Sequence, residues 1–132
     1  MIEFELSRII IDEAKKEQVV VLKEKKGAKF LPIVVGSSEA ASIRMPLNGF
    51  MPPRPLTHDV MCSIFNILNA KLQKVVIDEL IDNTFHAKLY LMTNAGIKLI
   101  DTRPSDGIAL AVRMKAPLFI EEDIFNKLSE KV

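Results

Sequence analysis

The chain has 132 residues, 48% of them hydrophobic and 27% charged, which is the composition of an ordinary globular protein with one domain. Lys and Arg number 18 and Asp and Glu 17, so the formal net charge of +1 offers no general basic surface for nucleic acid. No apolar run approaches the roughly 20 residues of a membrane span, and residues 2–7 alternate like a strand, unlike a signal peptide. We therefore expect a cytoplasmic protein without membrane contact, in which any nucleic-acid binding depends on local sites.

The single cysteine, Cys62, excludes an internal disulfide and a cysteine-based zinc cluster. It lies among apolar residues, so we interpret it as a buried thiol rather than a nucleophile. The sequence also contains no His-Glu-x-x-His, calcium-loop, phosphate-loop or dinucleotide-binding motif. The sequence therefore does not identify a metal or cofactor.

The N-terminal half predicts three strands and a helix. The strands alternate or are rich in β-branched residues, and Pro32 indicates that the third lies at a sheet edge or contains a bulge. The run Ile9–Ile11 is expected to enter the core. A serine-capped helix follows Gly36, and Pro46 should kink or end it. The predicted strands cover residues 2–11, 18–22 and 30–35.

The C-terminal half begins with the clearest helix, which we predict from Thr57 to Ala70. Its expected buried face consists of four apolar residues at helical spacing and three that widen the face: Val60, Ile64, Ile67 and Leu68, with Met61, Cys62 and Phe65. A three-stranded meander, a helix that opens at Pro104, a short strand and a last helix complete the chain. The order β-β-β-α-α-β-β-β-α-β-α predicts an α+β fold, a largely antiparallel mixed sheet with about four helices packed on it, as a single domain over residues 1–132.

Two short stretches present charged groups at predicted helix starts. In Gly49–Asp59, three prolines stiffen a loop, and Thr57 is predicted to cap the helix that follows. In the second stretch, which begins at Arg103, an Arg-Pro pair again precedes a helix. An Arg before proline has an extended backbone, and its guanidinium is free to donate two hydrogen bonds to a phosphate. The N–H groups of a helix start attract the same anion. Arg54 and Arg103 are thus candidate phosphate-binding residues.

The candidate catalytic residues His58, Asp59 and Asp106 lie beside these arginines. His58 could transfer a proton near neutral pH, and either aspartate could bind a divalent metal such as Mg²⁺ or Mn²⁺. His58 and Asp59 are adjacent in a helix, so their side chains diverge by about 100° and each needs a partner from the second stretch. From residue types alone a structural interpretation is favoured, in which the arginines pair with the acids and the acids cap the helices.

The motifs also resemble those of a known family. The segments Pro52–Asp59, Val76–Asp78, Thr84–Leu89 and Asp101–Ala111 are similar to the bifunctional nuclease family of bacteria and plants, and the resemblance covers about residues 19–125. It implies an α+β domain, a homodimer, and nuclease activity on DNA or RNA. Because the five candidate residues lie in the matching motifs, the resemblance also implies that they form the site. Many bacterial members have a helical-hairpin extension after this domain, so partner functions of that extension are not carried over.

Three hypotheses follow for the two motifs. The first is a metal-assisted hydrolase of phosphodiester bonds in DNA, RNA or both, which the family resemblance favours. The second is a non-catalytic module that binds a nucleotide, a nucleic-acid backbone or an acidic protein partner. The third is a structural role for the Arg-Pro motifs, and the near-neutral charge and missing metal motif favour the second and third.

Overall fold

The computed structural model describes residues 1–129 as eleven elements in the order predicted from the sequence. The seven strands are β1 (Ile2–Asp12), β2 (Glu17–Glu24), β3 (Phe30–Val35), β4 (Lys71–Ile81), β5 (Thr84–Thr93), β6 (Gly96–Thr102) and β7 (Leu118–Ile120). The four helices are α1 (Ser37–Leu47), α2 (Thr57–Ile67), α3 (Pro104–Met114) and α4 (Glu122–Ser129).

The strands form one sheet in the order β3-β2-β1-β7-β4-β5-β6. Strands β1–β3 and β4–β6 are two antiparallel meanders. The short β7 joins them, because it pairs antiparallel with β1 and parallel with β4. Strand β3 is an edge strand, the first of the two placements that Pro32 indicated. The mixed, largely antiparallel α+β fold predicted from the sequence is confirmed.

The core lies between one face of the sheet and the helices, with α3 at its centre. Seven of the eleven residues of α3 are buried, and the helix contacts α1, α2, β4 and β5. Gly107 permits this close approach, since a Cβ at that position would lie 2.7 Å from Cγ1 of Val75 on β4. The N-terminus of α3 is thereby fixed against the end of the sheet.

The expectation that Ile9–Ile11 enters the core is wrong for two of its three residues. Ile10 is 41% exposed and Ile11 58% exposed, and only Ile9 packs against the core. Ile10 pairs with Val19, and its side chain points away from the helices because successive residues of a strand face opposite sides. A run of apolar residues in a strand does not show which face is covered.

The predicted buried face of α2 is confirmed for three of its seven residues and wrong for the other four. The side that packs on the core carries Met61, Cys62 and Phe65, and burial raises the pKa of the Cys62 thiol. The helix has two neighbouring apolar stripes, and the spacing of residues does not say which one faces inward. The other four residues predicted to be buried form an outward stripe and are 45–78% exposed: Val60, Ile64, Ile67 and Leu68.

The helix ends differ slightly from the predictions. Gly36 and Leu56, in extended conformation, precede α1 and α2, so no serine or threonine side chain caps these helices. Helix α1 ends one residue after Pro46, as predicted. Helix α2 ends at Ile67, because Asn69 adopts a left-handed conformation with φ of 57°. None of the helices in residues 1–129 has the length and apolar character needed to cross a membrane.

Candidate active site

The starts of α1, α2 and α3 lie around one cavity, and each of these helices has an acid at its third residue. The acids are Glu39, Asp59 and Asp106. A carboxylate in the first turn is stabilised by the helix dipole, which is equivalent to roughly half a positive charge. These acids therefore already offset the positive ends of the helices. An incoming phosphate would need a further positive group.

Asp59 fixes the start of α2. Its Oδ2 accepts a hydrogen bond of 2.9 Å from the backbone N–H of Leu56, and its Oδ1 accepts one of 2.9 Å from Nε of Arg113. The hydrogen bond from Leu56, followed by that from Arg113, lowers the pKa of Asp59 below its usual value of 3.8. Both carboxylate oxygens are thus engaged within the chain, which leaves Asp59 a positional role in this arrangement.

His58 turns the other way and meets α3. Its Nε2 lies 3.0 Å from Oδ1 of Asp106, and the His58 residue is only 9% exposed. We assign the proton to Nε2, because an ionised carboxylate can only accept a hydrogen bond. The lone pair of the neutral ring is then on Nδ1, which is buried and without a hydrogen-bond partner among the described residues. In this tautomer His58 holds the carboxylate and has no basic nitrogen directed into the cavity.

Arg103 joins His58 and Asp106 and contacts two carboxylates. Its guanidinium donates to both oxygens of Asp106 at 2.9 and 3.2 Å, and it lies 3.5 Å from Oε1 of Glu39. Burial alone would raise the pKa of Asp106, but the hydrogen bonds from Arg103 and His58 outweigh it, so the pKa lies below the usual 3.8. The side chain of Arg103 is 64% exposed, so it can leave Asp106 without uncovering the core.

An open cavity of about 370 Å³, here called the site cavity, is lined by Glu39, His58, Arg103 and Asp106 but not by Asp59. Its two carboxylates, Glu39 and Asp106, and one guanidinium, Arg103, give a formal charge of −1 when His58 is left aside. Within residues 1–129, no group of three or more His, Cys, Asp or Glu side chains is placed to hold a metal ion. Mg²⁺ commonly uses one or two carboxylates together with substrate phosphates. The donor set therefore fits a cation that binds with its substrate.

The structure brings together His58, Arg103 and Asp106. This agrees with the prediction that His58 meets a group of the second charged stretch. It does not place Arg54 with them: this side chain is exposed, forms no ion pair in the described part of the chain, and does not line the site cavity. The expected pairing of Arg103 with Asp106 is present. Asp59, by contrast, pairs with Arg113.

Two residues of the site were missed by the sequence interpretation. Glu39, in the first turn of α1, and Arg113, in the last turn of α3, both lie outside the two charged stretches. Arg113 is 54 positions from Asp59 and Glu39 is 64 positions from Arg103, so no local spacing connects them. The first-turn acid shared by α1, α2 and α3 is the signal that could have included Glu39.

The fold and the site define an α+β domain with a His–Asp–Arg cluster where three helices begin. The sequence model of the bifunctional nuclease domain matches residues 20–132, and the chain belongs to this family. It is 39% identical over 116 residues to an uncharacterized protein of Mycobacterium tuberculosis, covering 88% of this chain and 69% of the relative.

More distant relatives come from rice. Bifunctional nuclease 1 of Oryza sativa subsp. japonica is 25% identical over 116 residues, which cover 86% of this chain and 35% of the relative. Bifunctional nuclease 2 of the same plant is 26% identical over 119 residues, with 86% and 36% covered. The chain spans about a third of the length of these rice proteins.

Proposed function

We propose that the protein is a nuclease that hydrolyses phosphodiester bonds of DNA, RNA or both at the site cavity. The observation that carries the proposal is the 3.0 Å contact of His58 with Asp106 at the wall of an open cavity, beside the exposed side chain of Arg103. Membership in the bifunctional nuclease domain family supports it. Asp106 and Arg103 are the residues expected to touch the substrate, and His58 positions Asp106.

The contacts suggest a role for each group. Arg103 moves from Asp106 to the phosphate, which it can hold through two N–H groups. This frees Oδ2 of Asp106 to orient the attacking water and take its proton, while the Nε2–H of His58 holds Oδ1. The leaving oxygen takes a proton from solvent. Asp59 positions His58 by fixing the start of α2, and Arg54 contacts a flanking phosphate.

A divalent cation fits this scheme because the site cavity carries a formal charge of −1, which repels a phosphodiester. Glu39, together with an oxygen of the substrate phosphate, would hold Mg²⁺ or Mn²⁺, which when bound neutralises phosphate charge and polarises the P–O bond. We therefore expect cleavage to require one of these cations and to stop with a chelator.

The test is cleavage of single-stranded and duplex DNA and RNA by purified protein with Mg²⁺, Mn²⁺ or a chelator. Asp106→Asn keeps the shape of the side chain and removes the base, so cleavage should fall at least about 100-fold. Asp82→Asn, on an exposed turn, is the matched control and should cleave like the wild type. Equal cleavage by Asp106→Asn and wild type would identify a contaminating nuclease and sink the assignment.

A second candidate is a binding module that holds a nucleic-acid backbone or an acidic protein without cleaving it. The observation in its favour is that both oxygens of Asp59 and of Asp106 already have partners inside the chain. Salt-sensitive binding of DNA or RNA, with no cleavage under any of these conditions, would select this candidate.

We also infer that the protein forms a homodimer, through the exposed stripe of α2. Val60, Ile64, Ile67 and Leu68 are an uncharged apolar surface, and one such patch can meet its own copy across a two-fold axis. The only charged residue of α2 apart from the His58 imidazole is Asp59, which pairs with Arg113. A cytoplasmic location stays a prediction from the sequence.

A further inference from the structure

A second cavity of about 450 Å³ adjoins the site cavity and shares two wall residues with it, Glu39 and Arg103. We call it the side cavity. It lies between the end of β3, the turn into β5 and the first residues of α3. Its volume is within the roughly 300–1,000 Å³ typical of sites for small molecules. The Arg103–Glu39 ion pair, 3.5 Å long, is the boundary between the two cavities.

The walls of the side cavity are mostly apolar, and one polar group in them lacks a partner. Val35, Phe85 and Pro104 provide the apolar surface. Ser105 also lines the cavity and is only 7% exposed. Its hydroxyl has no hydrogen-bond partner among residues 1–129, and the hydroxyl oxygen is not fully enclosed, so water or a ligand can reach it. A ligand with a hydrogen-bonding edge would satisfy this hydroxyl.

The charges point to a neutral ligand. Of the described residues that line the side cavity, Glu39 and Arg103 carry the charge, and they pair with each other. An anion would be repelled by Glu39, and a cation would compete with Arg103. A flat, uncharged group with polar edges therefore suits the cavity best, since its faces match Phe85 and its edge matches Ser105.

We propose that the side cavity binds a nucleobase of the strand whose phosphate occupies the site cavity. This inference rests on the proposed function, because it takes the ligand to be a nucleic acid. A strand that crosses Arg103 places one phosphate beside His58 and Asp106 and the adjoining base against Phe85 and Ser105. Arg103 exchanges Glu39 for the phosphate in the same movement, which opens the boundary between the cavities.

The test is titration of the full chain with adenosine or uridine, followed by NMR chemical-shift changes, with ribose 5-phosphate as the probe that lacks a base. Nucleosides should shift signals of Phe85 and Ser105, and ribose 5-phosphate should not. Ser105→Ala removes a hydroxyl that has no internal partner, so it should weaken nucleoside binding about fivefold and leave the urea unfolding midpoint unchanged. Phe85→Leu should weaken it about tenfold by loss of stacking.

Ser7→Ala and Phe30→Leu make the same chemical changes at exposed positions outside both cavities, and both should bind nucleosides like the wild type. Failure of nucleosides to bind, or equal affinity in Ser105→Ala, Phe85→Leu and wild type, would overturn the base-binding cavity even if the protein cleaves nucleic acid. Nucleoside binding that is lost in Ser105→Ala and Phe85→Leu would support the cavity even if no cleavage is found.

Discussion

Arg113 ties together three helices through one side chain. It is 8% exposed and donates to Oδ1 of Asp59 at 2.9 Å, to the carbonyl oxygen of Ser42 at 2.7 Å and to that of Ala109 at 3.0 Å. The first contact fixes α2 and the second fixes α1. Since His58 is adjacent to Asp59, this cation also determines where the imidazole meets Asp106. The catalytic geometry we propose thus depends on a residue outside the cavity.

The ion pair between Asp59 and Arg113 predicts how the free energy of unfolding depends on pH. The pKa of Asp59 is lowered in the folded state, so its contribution is present above the unfolded value near 3.8 and is lost as pH falls through the folded value. Asp59→Asn removes this contribution. The variant should be less stable than wild type at pH 7, and the difference should shrink as pH falls from about 5 towards 3. Urea unfolding at each pH measures it.

Asp82→Asn, on the exposed turn between β4 and β5, is the control and should follow the wild-type curve at every pH. A difference between Asp59→Asn and wild type that is the same at pH 7 and pH 3 would contradict the role given to the charge of Asp59. The effect would then come from shape or helix capping alone.

At the scale of single residues, the sequence predicted some contacts of the candidate residues and not others. Arg103 with Asp106 was predictable because three positions in a first helical turn bring side chains together. The pairing of His58 with a group of the second stretch followed from the divergence of neighbouring helical side chains. Asp59 with Arg113 was not predictable, because their contact depends on how two helices are oriented in the folded chain.

At the scale of the elements, helix α3 packs closely on the sheet, because Gly107 lies directly against Val75 of β4. A methyl group at Gly107 would lie 2.7 Å from Cγ1 of Val75, and Val75 is fully buried. Gly107→Ala should destabilise the protein by about 1 kcal/mol, since overpacking costs roughly 1–3 kcal/mol and the better helix propensity of Ala returns about 1 kcal/mol. Urea unfolding provides the measurement.

The double variant Gly107→Ala/Val75→Ala separates overpacking from other causes. Truncation of Val75 makes room for the new methyl group, so the double variant should be more stable than the sum of the two single effects by about 1 kcal/mol. Strictly additive effects would mean that Gly107 is required for another reason.

The helix α2 shows what a periodic pattern leaves open. Its existence and its start were predictable from the loop of prolines and the helical spacing of apolar residues. Its rotation was not, because two apolar stripes lie side by side and together predict one wide buried face, whereas only the stripe with Met61 and Phe65 packs on the core. The position of β7 in the sheet was not predictable either. Its three residues, Leu118–Ile120, pair with β1 on one side and β4 on the other, and no local pattern indicates these partners.

For the whole molecule, the sequence determined the order of all eleven elements but not the surface that remains apolar. The prolines, turns and alternating strands are local signals, and they specify the α+β class. Which faces stay uncovered depends on the complete packing. The result is a domain whose α2 stripe is apolar and outward, which is the observation that supports the inferred homodimer.

A substitution of Ile67, the most exposed residue of the α2 stripe, tests that homodimer. It is 78% exposed, so Ile67→Lys should leave the fold of one chain intact and place a charge at the centre of the stripe. In sedimentation equilibrium the wild type should have about twice the 14.8 kDa mass of the chain, and Ile67→Lys should approach the mass of one chain. Ile97→Lys makes the same change on the edge strand β6, where Ile97 is 50% exposed, and should remain a dimer. Dissociation by Ile97→Lys instead would move the interface to the sheet edge, and a wild type with the mass of one chain would exclude the homodimer.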